Sequence, residues 1–264
     1  MGKHKRSAVG ALEYLVTRGC DVRAVVAPPA PGDAAPGQRL DEAARRHGIA
    51  LASDDELYAT IEAPGRRAGP IDLGGVDLVL SFLFWRRIRA PLIELGRLGC
   101  LNFHPAPLPD MRGLGGYNVA VLEGFEQWGV SAHFVDERFD TGDLVRVERF
   151  AIDPEAETAL SLHLSSQERL LEVFRWTIDR ALASEPLPRE PQGEDRYVDR
   201  DEVEAMRRAR PGDPPELTER RIRAFWYPPY DGATIELGGR TLTLVDRRLL
   251  AETAAAYRGA GMLP

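Results

Sequence analysis

The chain has 264 residues, 44% of them hydrophobic, enough to bury the core of one α/β domain with a small appendage, which excludes disorder as the default state. A formal net charge of −7 opposes broad electrostatic binding to nucleic acid or to an anionic membrane surface, and no apolar run approaches the length needed to span a bilayer. Cys20 and Cys100 are the only cysteines, which gives neither a disulfide framework nor a zinc pattern, so a reducing, cytoplasmic setting is expected.

In chain order, Val9, Leu12, Leu15 and Val16 fall on one side of a helix that ends near Gly19, and residues 21–26 read as a buried strand. Residues 28–37 form a Pro/Gly-rich loop, a second helix covers about 38–47, and Gly48 stops it ahead of the apolar run 49–51. Residues 63–75 read as a loose connection. Residues 77–82 and 99–103 have the continuous apolar character of strands covered on both faces. A helix at 117–124, strands at 130–135 and 144–150, and one long helix at 156–182 with Leu160, Leu164, Leu171 and Phe174 on its apolar side complete the larger part. A Pro-rich link at 185–192 sets a domain boundary near residue 190. Residues 191–264 then hold a helix at 217–225 and a hairpin whose strands, 233–237 and 241–245, flank Gly238-Gly239.

Asn102, His104 and Asp140 are the candidate catalytic groups. An imidazole with an ordinary pKa of about 6.5 accepts a proton near neutrality. A carboxylate beside it fixes the ring's tautomer and stabilises the imidazolium. An uncharged amide donates to an oxygen that is gaining negative charge. Together these are the tools for moving an acyl group onto an amine. Asn102 and His104 are two positions apart, so on an extended segment their side chains point to one face. His133 and His163 lack partners at ligand spacing and read as structural, and no metal site is expected.

The stretch Leu-Asn-Phe-His-Pro-Ala-Pro-Leu-Pro at 101–109 is followed by Arg112-Gly113, by Trp-Gly-Val-Ser-Ala-His at 128–133, and by Phe-Asp-Thr-Gly-Asp at 139–143. In this order the motifs resemble the formyltransferases that use 10-formyltetrahydrofolate, a family that includes glycinamide ribonucleotide, methionyl-tRNA and nucleotide-sugar formyltransferases. The resemblance implies a Rossmann-like formyltransferase fold with a mostly parallel sheet and a small C-terminal region containing a β-hairpin. It implies Asn102, His104 and Asp140 as the catalytic triad. It also implies that groups at the strand ends hold the pterin, which map to Phe82, Leu83, Phe84, Trp85 and Arg87 and to Val135, Asp136 and Asp140.

The stretch Gly-Gly-Tyr-Asn at 115–118 and the text Ile-Arg-Ala-Phe-Trp-Tyr-Pro-Pro-Tyr-Asp-Gly-Ala at 222–233 resemble the nucleotide-sugar branch. The expected reaction is formylation of the amine of a nucleotide-linked amino sugar, of dTDP or GDP type. Arg112, Tyr117 and Asn118 follow the Pro-rich bend closely enough to meet that acceptor, and Trp226 and Tyr230 would stack on its base or sugar. Lys3, Lys5 and Arg6 open the first helix and would hold its phosphates. Another small amine such as hydroxyornithine or a natural-product amino acid, methionyl-tRNA, and a non-catalytic folate-binding role remain as alternatives. A homodimer is compatible with the resemblance.

Relatives of this kind begin with an apolar strand that feeds a glycine-bearing loop. This chain opens at Gly2-Lys3-His4-Lys5-Arg6, which reads as that loop. An upstream start is therefore expected, because loss of a central strand would leave two inner sheet edges unpaired.

Overall fold

The computed structural model describes residues 1–29, 37–193 and 195–259, so most of the expected loop at 28–37 lies outside the described residues. The chain divides into two compact units, one from Met1–Arg112, Gly129–Arg149 and Ser165–Arg196, the other from Gly113–Trp128, Phe150–Leu164 and the chain from Tyr197 onward.

In the first unit the helix Arg6–Thr17 buries Ser7, Ala8, Val9, Ala11 and Leu12, a stripe at helical spacing. Val25–Val26 pairs in parallel with Leu51–Ala52, so only the end of the expected strand at 21–26 is in a ladder. Ser53 then opens a helix, Asp54–Glu62, through a capping box: its hydroxyl accepts from the Glu56 N–H while the Glu56 carboxylate accepts from the Ser53 N–H. The connection expected to be loose contains a short antiparallel pair, Arg67–Ala68 with Ile71–Asp72.

The main sheet has four strands in the order Leu78–Phe82, Gly99–His104, Gln127–Phe134, Leu144–Ala151. The first pair is parallel and the second antiparallel. Phe82 and Phe103 stack at 5.8 Å between ring centroids, and both meet Phe174 of the long helix Ala159–Leu182, at 5.7 and 4.8 Å. That aromatic packing fixes the strand that carries Asn102 and His104.

The buried side of the long helix is rotated from the expected one. Leu162, Ser166, Leu170, Val173, Phe174 and Thr177 are inside, whereas Leu164 is 56% exposed. Apolarity alone misplaces this face, because polar residues lie inside as well: Thr177 Oγ1 donates to the Val173 carbonyl, and Gln167 accepts from the Ser7 hydroxyl.

Met1 and Gly2 lie between Val25–Val26 and Leu78–Phe82. The Gly2 N–H donates to the Val26 carbonyl at 3.0 Å, the Phe82 N–H to the Met1 carbonyl at 2.8 Å, and the Met1 amino group to the Leu80 carbonyl at 2.7 Å. Beside these two residues is a cavity of about 620 Å³ lined by Leu12, Leu15, Val22, Ala24, Leu78 and Leu80 among others.

In the second unit the helices Gly116–Glu123 and Pro215–Ala224 are tied where the Asn118 amide donates to the Ala224 carbonyl at 2.7 Å. Arg208–Ala209 pairs in parallel with Thr234–Leu237, which forms the hairpin with Arg240–Thr243. Gly238 and Gly239 both take positive φ, +57° and +73°, as a tight two-residue turn demands. Two helices not anticipated from the sequence, Arg200–Arg207 and Arg247–Gly259, are also present, the first opened by the Asp199 side chain accepting from the Glu202 N–H.

Candidate active site

Strand register brings the polar groups together. Ser81 pairs with Asn102 across the parallel ladder, and Asn102 pairs with His133, and His104 with Ser131, across the antiparallel one. Directly opposed residues share a sheet face, and so do positions two apart. Ser81, Asn102, His104, Ser131 and His133 therefore stand on one face. Ser131 is spent on structure: its hydroxyl donates to the Ala106 carbonyl at 2.8 Å and accepts from the Leu108 N–H at 2.9 Å, which fixes the bend after His104.

Asp140 arrives from the loop that follows the third strand. That loop is held by Asp136, whose carboxylate accepts from the Thr141 hydroxyl at 2.6 Å and from the Arg138 N–H at 3.0 Å. Asp140 takes a left-handed φ of +56°, a conformation a non-glycine residue holds only when its surroundings impose it. Its Oδ1 is 3.6 Å from His104 Nδ1 and 3.5 Å from His133 Nε2. Asn102 Nδ2 is 3.1 Å from the same His133 Nε2, and Asn102 Oδ1 accepts from the Ser81 hydroxyl at 2.7 Å. The three residues expected to be catalytic thus converge, and His133 is the group that connects them.

His104 is nearly enclosed. Burial holds its pKa below the ordinary imidazole value, the neighbouring His133 adding to that effect; the Asp140 charge and the bond between Nε2 and the Met111 carbonyl, at 3.2 Å, pull the other way. The ring rests neutral at neutral pH and has an oxygen beside each nitrogen once it gains a proton.

Around this centre, Phe82 has its ring in the core and its N–H on the Met1 carbonyl. Leu83 also has a left-handed φ, +57°, and Phe84 and Trp85 pack on each other at 4.5 Å. The Arg87 guanidinium donates to the Glu137 carbonyl and lies over the Phe139 ring at 5.9 Å, so the loops beginning at Phe82 and at Val135 are clasped together. Val135 itself donates its N–H to the Cys100 carbonyl. A flat pterin with an amide-like edge suits such a place, which offers an aromatic pair and bent main chain.

The expected acceptor residues are more scattered. Arg112 is buried and its guanidinium is engaged by the Gln192 side chain and the Gly193 carbonyl. Lys3 and Arg6 are exposed and Lys5 half-buried, while His4 is buried with Nδ1 accepting from the Leu40 N–H. In the second unit Asn118 is used within the fold, as described above. Tyr117 belongs to an aromatic series: its ring meets Trp128 at 5.9 Å and His163 at 5.5 Å, His163 meets Tyr227 at 5.1 Å, and Tyr227 meets Tyr230 at 5.6 Å. Tyr230 is 61% exposed at the end of that series. Trp226 is half-buried and contributes its main chain, its carbonyl accepting from the Leu160 N–H.

Sequence reasoning missed Ser81 and gave His133 a structural place. The available signal was register: both residues fall opposite Asn102 once the strands are paired. Among the described residues no cluster of His, Cys, Asp and Glu is arranged to hold a metal, and no helix is long and apolar enough to cross a membrane.

Residues 18–174 match the family model described as formyl transferase. A methionyl-tRNA formyltransferase of Halorhodospira halophila is 31% identical over 261 residues, 95% of this chain and 78% of the relative. A GDP-perosamine N-formyltransferase of Brucella melitensis is 28% identical over 173 residues, 62% of each. Among solved structures, an N-formyltransferase from Helicobacter canadensis in complex with folinic acid and dTDP-3-aminofucose superposes with a TM-score of 0.69 at 19% identity, covering 90% of this chain and 83% of that one.

Proposed function

This chain belongs to the formyl transferase family, and on that premise we propose that it transfers the formyl group of 10-formyltetrahydrofolate to the amine of a nucleotide-linked amino sugar. The observation that carries the reading is the meeting of His104 with Asp140 at 3.6 Å, beside an Asn102 amide on the same sheet face.

The donor supplies the one-carbon unit as an N-formyl group. Every other task falls to side chains. Asn102 Nδ2 donates to the formyl oxygen as negative charge builds on it, without carrying a charge of its own. With Nε2 donating to the Met111 carbonyl, the neutral His104 ring keeps its lone pair on Nδ1, which takes the proton released by the attacking amine, and Asp140 beside that nitrogen stabilises the charge. The imidazolium so formed has the Asp140 carboxylate on one side and the Met111 carbonyl on the other. The loops at Phe82–Arg87 and Val135–Asp140 hold the pterin.

Methionyl-tRNA is the second reading, supported by the identity to methionyl-tRNA formyltransferases. Charge argues against it. Residues 191–264 contain 12 arginines, no lysine and 13 carboxylates, a net of 12 − 13 = −1, where gripping a phosphate backbone calls for a basic surface. The relative described as acting on GDP-perosamine and the neighbour holding dTDP-3-aminofucose support a sugar acceptor.

The test offers the protein 10-formyltetrahydrofolate with dTDP- and GDP-linked amino sugars or with charged initiator tRNA, and follows tetrahydrofolate release and formyl incorporation by mass spectrometry. Formylated sugar nucleotide is the expected product. Formylated methionyl-tRNA with inert sugars would overturn the acceptor assignment, and release with neither would overturn both.

A further inference from the structure

The oxygen and nitrogen of an asparagine side chain have nearly the same shape, so a half-turn of the amide exchanges an acceptor for a donor at almost no steric cost. In Asn102 that half-turn decides whether the attacked carbonyl oxygen meets an N–H or a repelling oxygen. Something must hold the amide the right way round.

The neighbours settle it one hydrogen at a time. The Phe134 carbonyl can only accept, so His133 Nδ1, 2.7 Å away, carries the hydrogen of that bond. In the neutral ring Nε2 is then an acceptor. It lies 3.1 Å from Asn102 Nδ2 and takes one of the two amide hydrogens. On the other side Ser81 is 1% exposed, and its hydroxyl donates to Asn102 Oδ1 at 2.7 Å. Asp140 Oδ1 is 3.5 Å from His133 Nε2, too far to displace the amide from it. The chain of bonds runs from Ser81 through Asn102 and His133 to the Phe134 main chain and leaves one amide hydrogen unassigned. Turning the amide over would set Asn102 Oδ1 against the His133 lone pair, breaking that bond, and would force the Ser81 hydroxyl to turn from donor to acceptor.

We propose that Ser81 and His133 are positioning residues for formyl transfer, locking the Asn102 amide so that its remaining N–H, rather than its oxygen, faces the carbonyl under attack. This rests on the reading of Asn102 as the oxyanion donor. Neither residue touches substrate; both act through the amide.

The test is a set of variants compared in two backgrounds. Ser81→Ala and His133→Phe should each lower kcat by about tenfold to a hundredfold, the order that one buried hydrogen bond carries, with KM for donor and acceptor unchanged within about twofold on the same ground. His133→Gln, whose Oε1 can stand where Nε2 accepts, should recover most of that loss. In the Asn102→Ala background neither Ser81→Ala nor His133→Phe should lower kcat further. Equal losses in both backgrounds would overturn the proposal, and so would a His133→Gln variant as slow as His133→Phe.

An NMR arm needs no acceptor. The Asn102 side-chain amide protons should exchange slowly in the unaltered protein and faster in Ser81→Ala, and the His133 ring nitrogens should show hydrogen on Nδ1. Hydrogen on Nε2 instead, or exchange unchanged in Ser81→Ala, would refute the lock. If Ser81→Ala does not fold, the two His133 variants and the ring-nitrogen spectrum carry the decision. An Asn102→Ala protein with undiminished kcat would remove the oxyanion reading itself, whatever the amide exchange shows, so the two failures are distinguishable.

Discussion

His104 Nδ1 stands 3.6 Å from Asp140 Oδ1, inside ion-pair distance but beyond that of a hydrogen bond, while Nε2 of the same ring is 3.2 Å from the Met111 carbonyl. The arrangement suits an imidazolium better than a neutral ring, which is what a base becomes at the moment of proton transfer. An opposite charge at this range changes a pKa by about one to three units, so Asp140→Asn should lower kcat by about 10 to 10³-fold. His104→Ala should fall by about 10² to 10⁴-fold, with donor binding nearly intact by fluorescence titration. Turnover near that of the unaltered protein in His104→Ala would remove the ring from the chemistry.

The same pair fixes a pH dependence and its sign. Burial keeps the His104 pKa below about 6.5, so the neutral base survives to lower pH and the acid limb of kcat/KM should lie below that value. Asp140 raises the pKa of this ring, so Asp140→Asn should move the limb further toward acid even as the plateau drops. A limb that moves toward alkaline pH in the variant would contradict the assignment. Stability follows the same sign: the unfolded chain binds the proton more readily, so stability falls as pH drops through about 6.5 toward the folded value.

Asn102→Ala should cost about 10² to 10³-fold in kcat, the effect of removing one oxyanion donor, with little change in KM. Asn102→Asp is the sharper comparison. It keeps the shape but presents an anion to a developing anion, and it also loses the hydrogen that His133 Nε2 accepts. Its kcat should fall below that of the alanine variant. Equal activity in the two would mean that the side chain does not face the carbonyl oxygen.

The strands at 78–82 and 99–104 were legible because they are covered on both faces and read as continuous apolar runs, and the hairpin because Gly238-Gly239 has few other uses. Asn102 and His104 stood out through the motif text at 101–109, which resembles the family, and through their spacing of two on one strand. Ser81 did not, since a serine inside an apolar strand carries no mark of its own until register sets it opposite Asn102. The helix Asp54–Glu62 had its signal in Ser53 and Glu56, three apart, but its weak apolar pattern hid it. The buried face of Ala159–Leu182 was misread because Ser166, Gln167 and Thr177 go inside, Gln167 on a bond from the Ser7 hydroxyl far away in the chain, which the local sequence does not announce.

Gly142 joins the two halves of the site, and its substitution tests whether they move as one. A Cβ there would lie 2.1 Å from the Phe134 carbonyl oxygen, so the main chain must yield. That oxygen is the acceptor that sets the His133 tautomer, and Gly142 is two residues from Asp140. One methyl group therefore disturbs both the Asn102 lock and the carboxylate beside His104. Gly142→Ala should destabilise by about 1–3 kcal/mol, the range for overpacking a filled site, and lower kcat as well. Gly48→Ala is the control. Gly48 has a φ of +66° but nothing within 4 Å of an added Cβ. Its substitution should cost about 1–2 kcal/mol of left-handed strain and leave kcat alone. If melting temperature and kcat fell in the same proportion in both variants, the loss at Gly142 would be ordinary destabilisation, and the coupling of Phe134 to the site would be refuted.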